Sequence, residues 1–179
     1  MRIIGGKLKG RRFTPPSNFK GRPTTDFARE SLCSILDNRI DWEGQTVLDL
    51  FAGSGAVSFE FASRGAKEVT AIELDHTAYR GIQKNALDWE LRNVRVLRSD
   101  AFRFLRKQKK TWSLIFADPP YDLPNFDELV KVILEGGLLE ADGLLIVEHG
   151  EYTKLDKLPN FQETRNYGHV HFSFFTLDS

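Results

Sequence analysis

The sequence predicts an α/β protein with one mostly parallel sheet, and two patterns carry this prediction. Between residues 46 and 149, five short apolar runs alternate with segments of helical periodicity. Strands and helices that alternate at this spacing form right-handed βαβ units, which place parallel strands side by side and helices on both faces. From residue 161 onward, single apolar and polar residues alternate instead. This change predicts a closing antiparallel hairpin and brings the expected number of strands to seven.

The individual elements follow from local signals. The predicted strands cover residues 46–51, 68–73, 94–97, 112–117 and 144–149, with the hairpin after them. The predicted helices cover about 26–39, 55–63, 76–90 and 101–108, and a last one begins near residue 126. Thr24, Thr25 or Asp26 is expected to cap the first helix, because each side chain can accept a hydrogen bond from a free backbone N–H. Asn125 with Glu128 resembles a capping box at the start of the last helix.

Length and composition indicate a single domain. The 179 residues suit one core, and no apolar run approaches the roughly 20 residues that a membrane span needs. The opening MRIIGGKLKGRR lacks the apolar stretch of a secretory signal, so we expect a cytoplasmic, monomeric protein without membrane contact. Cys33 is the only cysteine, which excludes an internal disulfide and a thiolate zinc cluster. Its spacing in the first helix predicts a buried, inert thiol.

The charge of the chain is distributed unevenly. The formal net charge is zero, yet residues 1–25 carry seven Lys or Arg residues and no acidic residue, so residues 26–179 sum to −7. We therefore predict a basic arm over 1–25, packed on or extending from a single domain over 26–179. The arm is either a solvated tail or a phosphate-binding patch. Phe13 and Phe19 lie among its charges, as in segments that follow a nucleic-acid backbone and stack on bases.

The first predicted strand ends in DLFAGSGA, which contains Asp49 followed by Gly53 and Gly55. Glycines in such a turn allow a ligand to approach the backbone closely, although a purely structural turn has the same pattern. Ser58 occupies the third-glycine position of a dinucleotide fingerprint, and no P-loop lysine follows. The turn therefore favours a ligand with a positively charged group over a pyrophosphate.

The next two strands also end in acidic residues. Glu73 follows the glycines by about 20 residues, a spacing that suits a carboxylate on a ribose; the alternative is an exposed charge. Asp75 is expected to cap the following helix. Asp100 could accept the amino group of an adenine or cap the short helix after it. Together these strand ends indicate an adenosine site beside carboxylates, which points to S-adenosylmethionine.

The fourth strand ends in FADPPYD, residues 116–122. Pro119 and Pro120 lack backbone N–H groups and fix their own φ angles, so they end the strand and hold Asp118 and Tyr121 in a rigid turn. A plain strand terminator is the alternative interpretation. Such a turn at the end of a parallel strand lies where ligands bind in open α/β sheets.

DLFAGSGA, IELD, SDAF and DPPY, in this order on successive strands, resemble the motifs of S-adenosylmethionine-dependent amino-methyltransferases, which have a Rossmann-like fold. The arm RIIGGKLKGRRF with RPTTDFARE narrows the resemblance to the bacterial 16S rRNA guanine-N2 methyltransferases, over nearly the whole chain. Relatives often have phenylalanine at the position of Tyr121, which preserves stacking and argues against a role for the hydroxyl. The partner that the resemblance implies for the arm is ribosomal RNA, within the small subunit or its assembly intermediate.

The resemblance also implies a set of site residues. The cofactor-binding residues would be Thr24, Asp49, Phe51, Gly53, Gly55, Glu73, Leu74, Asp100 and Ala101, with Arg22 folding over the cofactor. Asp49, Phe51 and the glycines would lie beside its methionine half, Glu73 on the ribose and Asp100 near the adenine. The catalytic residues would be Asp118, Pro119, Pro120 and Tyr121, and no metal would take part.

The DPPY turn suggests how an unreactive amine could be activated. The Asp118 carboxylate and the Pro119 carbonyl would each accept one amino N–H, which turns the nitrogen lone pair toward the methyl donor. Tyr121 would stack on a base taken out of its helix or loop. A DNA adenine-N6 methyltransferase and a non-catalytic RNA-binding assembly factor remain alternatives. The four histidines are expected at surface or cap positions, although His149, at the end of the fifth strand, could instead lie near the site; they are His76, His149, His169 and His171.

Overall fold

The computed structural model of the chain describes residues 1–16 and 24–177. Its strands are β1 (Thr46–Leu50), β2 (Glu68–Glu73), β3 (Val94–Arg98), β4 (Trp112–Ala117), β5 (Leu139–His149), β6 (Phe161–Tyr167) and β7 (Val170–Thr176). They form one sheet in the order β3-β2-β1-β4-β5-β7-β6. The first five strands are parallel, whereas β7 pairs antiparallel with β5 and with β6. The predicted seven-stranded, mostly parallel sheet with a C-terminal hairpin is confirmed.

Helices cover both faces of the sheet, as predicted. They are α1 (Asp26–Asp37), α2 (Ala56–Ser63), α3 (His76–Asp88), α4 (Ala101–Leu105) and α5 (Phe126–Glu135). One apolar core joins α1, α2 and α3 to the first face, and a second core joins α4 and α5 to the other. Cys33 is buried in the first core, and burial raises its pKa to about 12. None of these helices, within the residues described, is both long and apolar enough to cross a membrane.

Three local predictions differ from the structure. The helix α4 ends at Leu105 rather than near residue 108, and β5 begins at Leu139, five residues before the predicted start. A register shift between β4 and β5 accommodates residues 140–143, whose sequence EADG interrupts the apolar pattern and hid the first part of this strand. The predicted capping box is wrong, because the Asn125 side chain donates to Glu128 Oε2 at 2.6 Å and caps no backbone N–H.

The helix α1 begins where the sequence predicts. Among the three candidate caps, Thr25 is the N-cap, and its hydroxyl oxygen accepts the backbone N–H of Ala28 at 3.1 Å. The neighbouring Thr24 does not cap the helix, and its side chain is buried. Phe19 and Arg22, which the sequence also singled out, lie outside the described residues.

Residues 1–16 pack on α2. Ile3 and Phe13 are buried in the core of that face. The carboxylate of Glu60, fully buried on α2, accepts the backbone N–H groups of Ile4 at 2.9 Å and Gly5 at 2.7 Å. The described part of the basic segment is therefore anchored by buried side chains and a buried carboxylate, while its charged side chains face outward.

Candidate active site

The carboxyl ends of β1 and β4 lie next to each other at the point where the strand order reverses. On one side of this point β1 pairs with β2, and on the other side β4 pairs with β5. Ala52 N–H donates to Ile72 O at 2.8 Å, which ties the turn after β1 to the end of β2. Ligands bind beyond such a reversal in open α/β sheets, so the residues predicted at the strand ends share one edge.

The glycine turn after β1 contains three residues in the left-handed conformation. Their φ angles are 64° at Phe51, 58° at Gly53 and 81° at Gly55. Glycine adopts this conformation without strain, whereas at Phe51 it costs on the order of 1–3 kcal/mol. A Cβ atom at Gly55 would lie 3.0 Å from the side chains of Phe59 and Ile82, so a side chain there would also be crowded. The turn thus needs glycine at Gly53 and Gly55, for conformation at both and for space at Gly55.

Glu73 holds the glycine turn in place. Its Oε2 accepts the backbone N–H of Gly53 at 2.6 Å, and its Oε1 accepts that of Asp75 at 2.8 Å. Burial raises the pKa of Glu73, and the backbone N–H donors partly oppose this effect. Each carboxylate oxygen keeps a second lone pair, so a ribose hydroxyl could still be accepted. The predicted ribose contact remains a prediction, while the contact with the glycine turn was not foreseen.

The third strand end forms the wall of a cavity of about 470 Å³, a size suited to a small ligand group. Its lining includes Leu74, which is 60% exposed, and Asp100. Asp100 caps α4, because its Oδ1 accepts the backbone N–H of Arg103 at 2.8 Å. The predicted cap at Asp75 is confirmed in the same way by its bond from Ala78 N–H. The adenine contact of Asp100, with Ala101 buried behind it, remains a prediction.

Asp49 carries a buried carboxylate with one unused oxygen. Its Oδ2 accepts the hydroxyl hydrogen of Ser58, and no described residue donates to its Oδ1. Burial raises the pKa of Asp49 to about 7, against the hydrogen bond from Ser58 and with the help of the charges of Glu73 and Glu148. Buried charges are normally paired, so this carboxylate suits a ligand that brings a positive charge.

Asp118 and Glu148 lie side by side at the ends of β4 and β5. Ala117 pairs with Val147, so the residues after them occupy equivalent positions on adjacent parallel strands. The Thr24 hydroxyl lies 2.8 Å from Glu148 Oε2 and 3.4 Å from Asp118 Oδ2. Its single hydrogen goes to Glu148, which is the closer acceptor. Thr24 therefore donates to Glu148 and lies beside Asp118, between the two carboxyl groups.

Both of these carboxyl groups hold protons unusually tightly. Withdrawal from water and then the charges of Glu148 and Asp49 raise the pKa of Asp118 well above its ordinary value. Burial raises the pKa of Glu148 to about 7, against the hydrogen bonds from Thr24 and Tyr121. A cationic group in this cluster would lower the pKa values of Asp49, Asp118 and Glu148, because an opposite charge favours the ionised form.

The DPPY turn presents a tyrosine ring at the edge of the cluster. The side chain of Tyr121 is 40% exposed, and its hydroxyl donates to Glu148 Oε1 at 3.2 Å. Pro119 is buried, whereas Pro120 is exposed and its carbonyl accepts Leu123 N–H at 2.9 Å, which closes the turn. The resemblance argued against a role for the hydroxyl group of Tyr121, but in the structure this group has a hydrogen-bond partner in Glu148.

Glu148 was not recognised from the sequence. A sequence signal for this residue was present: an acidic residue follows the apolar residues LLIV in the predicted fifth strand, which comes after the strand that carries DPPY. For the next residue, His149, the predicted surface or cap position is wrong because the ring is buried. Its Nδ1 donates to Gly150 O at 2.9 Å, so Nε2 accepts from Ser173, and burial lowers its pKa. Pairing of β5 with β7 encloses this residue.

The fold, the carboxylates at its strand ends and the relatives of the chain define the class of methyltransferases with a Rossmann-like fold. Residues 1–176 match the family described as Conserved hypothetical protein 95, and the chain belongs to this family. The Ribosomal RNA small subunit methyltransferase D of Escherichia coli K12 is 35% identical over 159 residues, which cover 89% of this chain and 79% of that protein. The resemblance drawn from the motifs is confirmed.

Solved structures agree with this assignment. A hypothetical protein of Thermus thermophilus superposes with a TM-score of 0.86 and 32% identity over 99% of both chains. The 16S rRNA N2 G1207 methyltransferase of T. thermophilus, in complex with AdoMet and guanosine, has a TM-score of 0.72 and 24% identity. This match covers 99% of the present chain and 49% of the other, and it concerns the fold alone.

Proposed function

We propose that the protein transfers a methyl group from S-adenosylmethionine to the N2 amino group of a guanine in small-subunit ribosomal RNA, as a cytoplasmic monomer. The observation that carries this proposal is the position of Asp118 and the two prolines at the reversal of strand order, beside the buried carboxylates of Asp49 and Glu148. The name of the Escherichia coli relative supports ribosomal RNA as the substrate. The N2 position is supported by the resemblance of the arm and the DPPY turn to the guanine-N2 methyltransferases.

The cofactor would lie along the ends of β1, β2 and β3. When bound, S-adenosylmethionine supplies an electrophilic methyl group on a positively charged sulfur, which leaves with the electron pair of the broken C–S bond. The unused Oδ1 of Asp49 offers an acceptor for a cationic group, and the glycine turn allows close approach of the ligand. Glu73 would accept ribose hydroxyls with its remaining lone pairs. The cavity beside Leu74 and Asp100 would receive the adenine.

Asp118 and Pro119 would orient the acceptor nitrogen. The amino group of guanine is a weak nucleophile because its lone pair is delocalised into the ring. If the Asp118 carboxylate and the Pro119 carbonyl each accept one N–H, the lone pair turns toward the methyl carbon. The new C–N bond makes the nitrogen cationic, and the adjacent carboxylate stabilises this charge and accepts the released proton.

Tyr121 would hold the target base in this position. Its ring is 40% exposed and its hydroxyl is fixed by Glu148, so the position of the ring at the edge of the cluster suits stacking on a base. An enzyme that acts on a base edge needs the base outside its helix, and an aromatic ring compensates for part of the lost stacking.

The arm over residues 1–25 would bind the RNA backbone, and residues 26–179 would form the catalytic domain. Lys7, Lys9, Arg11 and Arg12 are all exposed on the described part of the arm. The Arg11 guanidinium lies 5.6 Å from the centre of the Trp89 ring, which links the arm to the end of α3. Phosphate groups bind such clusters of cations in a salt-dependent manner.

A groove on α3 would extend this basic surface. It has a volume of about 1070 Å³, and its lining includes Pro16, Arg80, Lys84 and Arg92. Arg80, Lys84 and Arg92 reach solvent at its rim. Pro16 lines this groove, so the arm borders the surface that carries Arg80 and Lys84.

The test is methyl transfer from labelled S-adenosylmethionine into small-subunit particles from cells that lack this protein, followed by digestion to nucleosides. We expect N2-methylguanosine. Asp118→Ala should reduce transfer by at least about 100-fold because the side-chain acceptor for the amine N–H is lost. Asp122→Ala, on the exposed end of the same turn, is the matched control and should retain activity.

Other products of this assay would contradict the proposal in distinct ways. N6-methyladenosine would favour the adenine methyltransferase. RNA binding without any transfer would favour an assembly factor that keeps the fold without turnover. Full activity of Asp118→Ala would remove that residue from the chemistry.

A further inference from the structure

Guanine and adenine differ in the ring nitrogen beside the reactive amine. Both present two N–H groups on the exocyclic nitrogen, so the Asp118 carboxylate and the Pro119 carbonyl would hold either amine. Beside the amine, guanine carries an N1–H donor and adenine carries an N1 acceptor. An enzyme that selects guanine therefore needs one more acceptor beside the pair that holds the amine.

Glu148 is such an acceptor. It follows Val147, the cross-strand partner of Ala117, so its carboxylate leaves the sheet beside that of Asp118. It is 3% exposed, and it faces the DPPY turn because the Tyr121 hydroxyl donates to its Oε1 at 3.2 Å. The Thr24 hydroxyl fixes its Oε2 from the other side at 2.8 Å.

The hydrogen bonds of Glu148 leave room for a further donor. Each carboxylate oxygen accepts two hydrogen bonds, and each oxygen of Glu148 receives one from the hydroxyl groups of Thr24 and Tyr121. The two hydroxyls fix the carboxylate without using its full capacity. A buried acceptor held in this way strongly favours a ligand that supplies the missing hydrogen.

We propose that Glu148 selects guanine by accepting its N1–H while Asp118 and Pro119 hold the N2 amino group. This inference rests on the proposed function and adds a specificity-determining residue to it. The three N–H hydrogens at N1 and N2 of guanine then meet three acceptors from two neighbouring strand ends. The positive charge of the bound methyl donor would keep Glu148 ionised, because it lowers the pKa of this carboxyl group. Adenine would place the lone pair of its N1 against the carboxylate, so it would be rejected.

A purely structural role for Glu148 makes a different prediction. If Glu148 only fixed Thr24 and Tyr121, its replacement would slow the reaction equally for every base analogue. A role in reading N1 changes the preference between analogues, which a loss of packing does not.

The test uses RNA with 2-aminopurine in place of the target guanine. This base keeps the 2-amino group, but its N1 is an acceptor without hydrogen. We expect the wild-type protein to prefer guanine by at least about 100-fold in kcat/KM. Glu148→Gln should narrow this preference at least about tenfold, because its amide can donate to N1. The loss of O6 in 2-aminopurine affects both proteins alike, so the change in preference isolates the N1 contact.

Glu151→Gln, an exposed position three residues later, is the matched control and should leave the preference unchanged. A preference that stays the same in Glu148→Gln would overturn the assignment. Equal use of guanine and 2-aminopurine by the wild-type protein would also overturn it, whether or not the variant folds. If the wild-type protein forms no N2-methylguanosine at all, the proposed function itself has failed, which is a separate outcome.

Discussion

The hydroxyl group of Ser58 donates a hydrogen bond to Oδ2 of Asp49, and both side chains are buried. Asp49 lies on β1 and Ser58 on α2, so this bond joins the two elements that flank the glycine turn. Ser58 occupies the position at which a dinucleotide fingerprint has its third glycine. Ser58, which argued against pyrophosphate binding, is thus the hydrogen-bond partner of Asp49, whose carboxylate suits a cationic ligand.

Replacing Ser58 by alanine should destabilise the protein. The Asp49 carboxyl group would lose its hydrogen-bond donor and remain buried, at a cost of about 1–3 kcal/mol in the free energy of unfolding. Urea unfolding at about pH 7 measures this change, in the range where Asp49 titrates. Ser34→Ala, at an exposed position on α1, is the control and should change stability by less than about 0.5 kcal/mol. Equal stability of the two variants would contradict the importance of this bond.

Stability should fall with increasing pH because of Asp49. Its pKa is raised from 3.8 to about 7, so between these values the folded protein holds a proton that the unfolded chain releases. The contribution is fully present below pH 3.8 and is lost as the pH rises through about 7. Asp49→Asn removes the titration, so its stability relative to wild type should rise across this interval by on the order of 3–4 kcal/mol.

Urea unfolding at several pH values, without ligand, measures this difference. Asp156→Asn, at an exposed position, should give a constant difference from wild type. A pH-independent difference for Asp49→Asn would mean that the Asp49 carboxyl group ionises normally in the fold.

The sequence predicted those parts of the site that depend on local signals. The prolines of FADPPYD place Asp118 at the end of β4, and the spacing of Asp75 and Asp100 from the following helices makes them N-caps. These features follow from backbone restrictions and free N–H groups within a few residues. No knowledge of the tertiary fold is needed to find them.

The sequence did not reveal contacts between distant segments. Thr24 and Glu148 are 124 positions apart, and only the packing of the segment before α1 against the end of β5 brings them together. Glu148 is the penultimate residue of β5, in a run of consecutively buried residues, where an acidic residue gives no periodic signal. The bonds from Gly53 and Asp75 to Glu73 were missed because they use backbone donors, which are the same at every position.

Glu73→Ala should weaken cofactor binding by about 1.5–3 kcal/mol, because charge-assisted bonds to the ribose and the anchor of the glycine turn are both lost. Calorimetric titration with S-adenosylmethionine measures this loss. Asp118→Ala is the informative comparison, since its role concerns the acceptor amine, and it should change cofactor affinity only a few-fold. Unchanged affinity in Glu73→Ala would exclude the ribose contact.

Binding of the substrate RNA should depend steeply on salt because of the basic arm. If the arm and the neighbouring surface neutralise about five phosphates, a plot of log affinity against log salt should have a slope of roughly −3.5. Replacing the exposed residues Lys7 and Lys9 by glutamine removes two phosphate contacts and should reduce the slope by about 1.4. Filter binding over a range of about 50–300 mM salt gives both slopes.

Lys131→Gln provides the control for this experiment. Lys131 is exposed on α5, which packs on the face of the sheet opposite to the arm, so the slope should stay at the wild-type value. A slope that is unchanged by Lys7 and Lys9 replacement, or one near zero for the wild-type protein, would mean that the arm makes no phosphate contacts. The arm would then serve only to cover α2 through Ile3, Phe13 and the bonds to Glu60.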